Sequence, residues 1–400
     1  MKIGINASFL RKPGTGIGQV TANFLQKLAE CQNSNSKCQN SEFFLYCEEE
    51  PGLDFSLPEN FHMRVFLPFW KRDDLIRKML WEKQAAREAA KDGCDAFLSL
   101  YQSSTIFQST VSGQQKTIRH TMVVHDIIPR LFPQYLGNMR QTWHWKAVER
   151  GIRAADHIVA ISEHTKSDLM RALDIPVEKI SVAFLDVAPR FSRVITAEAA
   201  ADVLKKYDLH SGYIYHGGGL EIRKNAETLL RAYQQLTVNR QQTTNAGQQS
   251  RKEVPPLVIS GKVFDKNNKL ATDVRGLVEE LGLQEKVKLL GFVPDEDLPA
   301  LYHGALFFVY PSLYEGFGLP VLEALRMSVP ALVSGTSSLP EVGGDAVLYV
   351  DPENAEEMAA QMERLLTDET LRGSLIARSA PQAVQFSWKS FTEKTLATLE

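Results

Sequence analysis

Short apolar runs recur along this chain, and most of them run into a glycine, a histidine or a proline. In the first half they are Lys2 to Asn6, Phe43 to Cys47, Met63 to Leu67, Thr121 to Val124, Asp156 to Ser162 and Ile180 to Phe184. In the second half they are Gly212 to Tyr215, Leu257 to Ser260, Val287 to Leu290, Leu306 to Tyr310, Ala331 to Ser334 and Ala346 to Val350. Few of them alternate, as befits strands buried on both faces, and helical patterns separate them, such as Val20 to Leu28 and the turns through Leu229 and Tyr233. Strand and helix in repetition predict parallel sheets with helical crossovers, an α/β fold. Two stretches interrupt the alternation. Cys31 to Ser41 reads as a polar surface loop, and Val238 to Glu253, rich in Gln, Thr and Asn, reads as a mobile insertion without chemistry. Helices up to Ala380 and a last one from Phe391 to Leu399 complete the pattern.

Four hundred residues exceed one ordinary core, so two domains are expected. An apolar share of 44% with 23% charged residues is that of a soluble globular protein. The net charge of −3 gives no footing for nucleic-acid binding. Met1 to Asn6 lacks the charged start and long apolar core of a signal peptide, and nowhere do enough apolar residues run together to span a membrane. Cys31, Cys38, Cys47 and Cys94 lack the paired short spacing of a zinc site and are too sparse for a disulfide scaffold, which makes the cytoplasm the expected compartment. Pro68 to Ala89 carries Phe69, Trp70, Lys71, Arg72, Arg77, Lys78, Trp81 and Lys83. It reads either as an amphipathic helix packed on its own domain or as a face resting on an anionic membrane; Asp73, Asp74 and Glu82 interrupt the positive face and favour the first.

Candidate chemistry concentrates in Leu306 to Met327, LFFVYPSLYEGFGLPVLEALRM. A strand stops at Pro311, Gly316 and Gly318 free the next turn, and Pro320 opens a helix. The first amides of that helix, around Gly318 and Leu319, have no partner within it and favour an anion or a hydroxyl oxygen. Glu315 and Glu323 can border one pocket, and ionised carboxylates accept from vicinal hydroxyls of a sugar or ribose. Glycine turns and helix-start acids are also ordinary structural devices.

Three further stretches bear on the same chemistry. Arg11 to Gly18 is a glycine loop after a strand, but its Gly-x-Gly-x-Gly spacing departs from the dinucleotide fingerprint, which argues against an oxidoreductase. His125 and Asp126 stand at the carboxyl end of a strand, where open α/β sheets keep their ligands; the plain alternative is a buried histidine satisfied by a carbonyl. His216-Gly217-Gly218-Gly219 precedes Arg223-Lys224-Asn225, and glycines ahead of two cations fit a diphosphate. Asp295-Glu296-Asp297 looks like a metal motif, but it follows Pro294 at a helix start, so no metal is expected.

The Glu-seven-residues-Glu pattern enclosing Gly-Phe-Gly-Leu-Pro resembles the signature of retaining glycosyltransferases of family 4, of GT-B fold, and the resemblance covers nearly the whole chain. It implies two Rossmann-like domains facing each other across a cleft: residues 1–190 on the acceptor side, 191–384 on the sugar-nucleotide side, and 385–400 as a helix crossing back to the first domain. The donor is then a sugar nucleotide, with no cofactor, and the acceptor a glycan or lipid-linked oligosaccharide, met in the cytoplasm or peripherally at the inner membrane face. Arg223 and Lys224 would neutralise the departing diphosphate, without the extra arginine many members carry after the first glycine. Glu323 would hold the ribose. Glu315 with the backbone of Phe317 and Gly318 would hold the donor sugar, and His125 would contact it from the other domain. Gly16 and Gly18 would face the donor phosphates, Gly218 would clear space for them, and Lys262 and Val293 would flank the base. Ser162 caps a helix on the plain reading and stands with Glu163 near the acceptor on the family reading.

The sugar and base follow from no residue. On family frequency, hexose transfer from UDP-glucose is the first expectation and mannose transfer from GDP-mannose the alternative, with a sugar phosphorylase or synthase of the same fold behind them. A catalytically silent carbohydrate-binding or scaffold protein is the rival of another class.

Overall fold

A computed structural model describes residues 1–32, 40–67, 74–107, 118–245, 253–264 and 268–399. Most of the expected surface loop after Cys31, and the residues Phe69 to Arg72, lie outside these. The chain divides into two compact units, Met1–Leu185 with the segment from Phe386 onward, and Asp186–Gln385.

The first unit is built on one parallel sheet. Its strands are β1 (Lys2–Asn6), β2 (Glu42–Cys47), β3 (Phe61–Val65), β4 (Ala96–Ser99), β5 (Arg119–Val124), β6 (His157–Ala160) and β7 (Ile180–Val182). They lie in the order β3-β2-β1-β4-β5-β6-β7. The apolar runs supplied all of these except β4, although β3 lies two residues ahead of its run, Met63 to Leu67. The β4 strand is four residues long, and the turn Asp92-Gly93 before it closes the preceding helix, yet it sits between β1 and β5, with Ile3 opposite Ala96 and Ala96 opposite Arg119. The helix after β1 also begins earlier than its periodicity indicates, at Gly16 rather than Val20. The Thr15 hydroxyl accepts from the amide of Gly18 at 3.1 Å and starts the helix. Gly18 is needed there because a Cβ would stand 2.0 Å from the Lys12 carbonyl oxygen. The last helix, Trp388–Ala397, belongs to this unit: Phe391 meets Phe24 with ring centroids 6.1 Å apart, and Phe386 meets Phe184 at 5.7 Å.

The second unit repeats the plan with β8 (Tyr213–His216), β9 (Leu257–Ser260), β10 (Val287–Gly291), β11 (Ala305–Tyr310), β12 (Ala331–Ser334) and β13 (Leu348–Val350). Their order is β10-β9-β8-β11-β12-β13, again parallel throughout. Leu229, Tyr233, Ile259, Phe307, Val309, Met358 and Leu365 meet in its core. Two expectations fail here. Val238 to Asn245, read as insertion, continues the helix Ala226–Asn245, because Gln and Arg are good helix formers and Arg240 is buried against Glu363 at 2.7 Å. Ala346, read as the start of a strand, belongs to a short 3₁₀ turn, Gly344–Ala346, and the strand begins at Leu348. No described helix is long and apolar enough to cross a membrane.

In each sheet the strand order turns back on itself beside the first strand, between β1 and β4 and between β8 and β11. Loops leaving the carboxyl ends diverge at such a point and leave a crevice.

Candidate active site

At the switch point of the second unit the loops after β8, β9 and β11 approach backbone to backbone. Gly218 and Gly261 hold φ values of 97° and 141°, and a Cβ would lie 2.9 Å from Pro320 Cγ at the first and 3.1 Å from Gly219 Cα at the second. His216 ties β8 to β11, its Nδ1–H donating to the Val309 carbonyl at 2.9 Å. Arg223 and Lys224 follow on the 3₁₀ turn Ile222–Lys224, which Asn225 ends in the left-handed region at φ 60°. The Asn225 amide donates to the carbonyls of Pro311 at 3.1 Å and Pro352 at 2.7 Å, and the amide of Leu313 donates to the Arg223 carbonyl at 2.7 Å. The two cations are thereby held against the loop after β11.

Glu315 is where they converge. Lys224 Nζ lies 2.6 Å from Oε1, and Arg223 Nη1 lies 2.9 Å from Oε2. The hydroxyls of Tyr310 and Ser312 also donate to Oε1, at 2.9 and 2.7 Å. Burial alone would raise this carboxyl; Lys224, Arg223 and the Ser312 hydroxyl outweigh it and hold it at about 2. Lys224 also donates to the Tyr310 oxygen, leaving one ammonium proton, and Arg223 Nε donates to Glu221 at 2.8 Å, leaving Nη2.

Gly318, at φ 113°, precedes the helix Leu319–Arg326, and a Cβ there would meet Leu339 Cδ2 at 2.6 Å. Phe317 is buried, its carbonyl accepting from the Ser338 hydroxyl at 2.7 Å. Glu323 makes no hydrogen bond to the Glu315 cluster; its partner is the Tyr302 hydroxyl, 2.8 Å from Oε2. Burial lifts its carboxyl to about 7, against the Tyr302 bond, and Lys224 is near enough to pull it back slightly. Lys262 and Val293 stand just past the ends of β9 and β10, joined through the bond from the Gly261 amide to the Gly291 carbonyl at 2.8 Å. The acids Asp295 and Asp297 are engaged by Arg190 at 2.7 Å and by Lys206 at 3.0 Å.

In the first unit, His125 follows β5 and is buried. Its Nε2 lies 2.9 Å from the Leu100 carbonyl, which can only accept, so Nε2 carries the proton and the neutral ring presents Nδ1 as an acceptor. This is the carbonyl-satisfied geometry of the plain reading, with one ring nitrogen left for a ligand. Asp126 accepts from the Ile128 amide at 3.0 Å and orients the turn. Ser162 accepts from the Thr165 amide at 3.0 Å, the helix cap its position implies, while the Glu163 side chain is exposed. Gly16 and Gly18 lie in the first turn of the helix Gly16–Gln32.

Sequence reasoning missed Tyr302, Tyr310 and Ser312. The signal for Tyr310 and Ser312 is that hydroxyl residues gather where β11 ends, among Tyr310, Ser312 and Tyr314, whereas Tyr302, on the helix Leu298–Gly304 before β11, carries none.

Residues 16–184 match the pattern of Glycosyltransferase Family 4, and residues 208–380 that of Glycosyl transferases group 1. O-antigen chain mannosyltransferase B of Escherichia coli is 36% identical over 409 residues, which cover 99% of this chain and 98% of that protein. Serotype-specific mannosyltransferase WbdA of Escherichia coli is 35% identical over 271 residues, 66% of this chain and 31% of its own. Among solved structures, sucrose-phosphate synthase of Thermosynechococcus elongatus superposes with a TM-score of 0.71 at 16% identity, covering 99% of this chain and 98% of that one. WaaG, a glycosyltransferase involved in lipopolysaccharide biosynthesis, does so at 0.68 with 15% identity, covering 100% and 98%. With both units matched and a relative alike from end to end, the chain belongs to glycosyltransferase family 4, a transferase of two Rossmann-like units.

Proposed function

We propose that the protein transfers mannose from GDP-mannose, with retention at the anomeric carbon, to a hydroxyl of a growing surface polysaccharide. The observation that carries this reading is the 36% identity over 99% of the chain to an O-antigen chain mannosyltransferase. Glucose from UDP-glucose, the first expectation, rested on family frequency alone and has less support than its alternative.

The geometry supports a division of labour. Oε1 of Glu315 is filled by three protein donors, whereas Oε2 accepts from Arg223 and has capacity for a sugar hydroxyl. The remaining ammonium proton of Lys224 and Nη2 of Arg223 go to the diphosphate, whose negative charge grows as the anomeric bond breaks. The amides around Gly318 and Leu319 add to that stabilisation. Glu323, once ionised, accepts from the ribose hydroxyls, Lys262 and Val293 flank the base, and His125 Nδ1 accepts from a hydroxyl of the sugar. No metal takes part in this scheme. The acceptor is lipid-linked and the enzyme works at the cytoplasmic membrane face; exposed Ile76 and Leu80 beside Lys83 and Arg87 support such contact.

Turnover of GDP-mannose, UDP-glucose and ADP-glucose with a mannosylated acceptor tests the donor. Mannose transfer from GDP-mannose is expected, and GDP at a hundred times its dissociation constant should add about 2.7 kcal/mol to stability. Transfer from UDP-glucose with none from GDP-mannose would overturn the reading.

A further inference from the structure

Hydroxyls from the loop after β12 grip the loop after β11, and two of them depart from their ordinary local roles. Ser338 stands at the N-cap of the helix Leu339–Gly343, where a serine oxygen usually accepts from an amide of the first turn, yet it makes no such bond. The Glu341 amide goes instead to the Ser338 carbonyl at 3.1 Å. The Ser338 hydroxyl, fully buried, donates to the carbonyls of Glu315 at 2.9 Å and Phe317 at 2.7 Å. Ser337 beside it holds φ 53°, a left-handed conformation that side chains rarely adopt, and its oxygen accepts from the Glu315 amide at 3.0 Å. Consecutive side chains on extended backbone diverge; this turn brings both to one residue. The amide and the carbonyl of Glu315 are thus both held, and the Thr336 hydroxyl donates to the Ser312 carbonyl at 3.2 Å.

Peptide geometry turns this grip into an aim. A trans peptide points its carbonyl and its amide in opposite directions, and no peptide among the described residues is cis. The Phe317 carbonyl faces Ser338, so the Gly318 amide of the same peptide faces away from it. In the sheet β11 lies between β8 and β12, so away from the β12 side is towards the loop after β8, where Gly218 comes up against Pro320. That is the crevice side, from which Arg223 and Lys224 reach Glu315. Gly318, at φ 113°, has no side chain to fix its own peptide, and Ser338 supplies that constraint.

We propose that Ser337 and Ser338 are positioning residues of the transfer step: they place Glu315 and aim the Gly318 amide at the donor oxygen that gains charge as the anomeric bond breaks. The proposal rests on the transfer reaction above, and not on which sugar nucleotide serves it. Both serines act through the loop rather than by touching the donor, so their effect falls on the geometry reached in the transition state more than on ground-state binding.

Steady-state kinetics and calorimetry of the full-length protein test it, using the donor that the parent turns over and a mannosylated acceptor. Ser338→Ala should lower kcat by about 10–100-fold, while KM for the donor and the affinity for its nucleoside diphosphate change by less than about threefold. Should Ser338→Ala fail to fold, Ser337→Gly, which suits the left-handed backbone there, is read by the same criterion. A folded variant that keeps kcat within about twofold of the parent, or whose loss appears wholly as a rise in KM, overturns the proposal and leaves the two hydroxyls as ties that only stabilise the loop. A parent that uses UDP-glucose and not GDP-mannose refutes the donor reading, while the comparison of kcat with KM still decides the role of the serines.

Discussion

Lys224 Nζ stands 2.6 Å from Oε1 of Glu315 across 91 positions of sequence, and both side chains are buried. The pair joins the loop after β8 to the loop after β11, so it supports the second unit as well as the chemistry. Removing Glu315 leaves Lys224 buried without a carboxylate, and removing Lys224 leaves Glu315 with Arg223 as its counter-charge and one strong donor fewer. Lys224→Met and Glu315→Gln should each lower the unfolding free energy by about 3–5 kcal/mol, and the double variant by less than the sum. Urea unfolding of the three variants measures this. Each single variant should also lose about 10²–10³ in kcat, the usual cost of one missing electrostatic partner in the transition state.

Glu323 gives a pH dependence of opposite sign to most acids. Its carboxyl titrates at about 7 in the folded protein against an ordinary 4.5, so between those values the folded state holds a proton that the unfolded state has released. Its stabilising contribution is complete below pH 4.5 and is lost as the pH rises to about 7. Glu323→Gln should therefore raise the melting temperature relative to the parent at pH 8 and leave it unchanged at pH 4.5. Because the ionised carboxylate accepts more strongly, and on both oxygens, than the neutral acid, GDP affinity should improve through pH 7 in the parent and stay flat in the variant, as titrations at pH 6 and 8 would show.

His125 gives the third prediction. Burial pushes its imidazole below the usual range, against the bond to the Leu100 carbonyl, so the ring is neutral above pH 6.5. The rate profile from pH 7 to 8 should carry no inflection from this residue. His125→Gln should lower kcat/KM by about tenfold, the loss of one hydrogen bond to the sugar, with unchanged GDP affinity. A variant that loses stability but keeps kcat/KM would mark His125 as a packing residue.

The sequence revealed most of the fold because strands covered on both faces must be apolar along their whole length. Leu257–Ser260 and Ala331–Ser334 are bounded as their runs predict. β4 escaped because its four residues follow so closely on the turn Asp92-Gly93 that they pass for the end of the preceding helical segment. The helix over Val238 to Asn245 escaped because polar composition says nothing against a helix once a residue such as Arg240 finds a buried partner. The charged members of the site were legible, since glycines beside cations and spaced acids are uncommon combinations. Tyr302, Tyr310 and Ser312 were not, because a hydroxyl residue is ordinary anywhere and acquires its role only when the fold brings it to a buried carboxylate.

The helix Trp388–Ala397 sets the order in which the molecule is completed. Phe391 fills a fully covered place beside Phe24, and Phe386 packs on Phe184, so the first unit lacks part of its interior until the segment from Phe386 to Ala397 has been made. The unit that is synthesised first is thus finished last, after the whole of the second has been made. A nascent chain halted near Gln385 would carry a finished second half and a first half with an open apolar flank, the kind of surface on which chaperones and aggregation act.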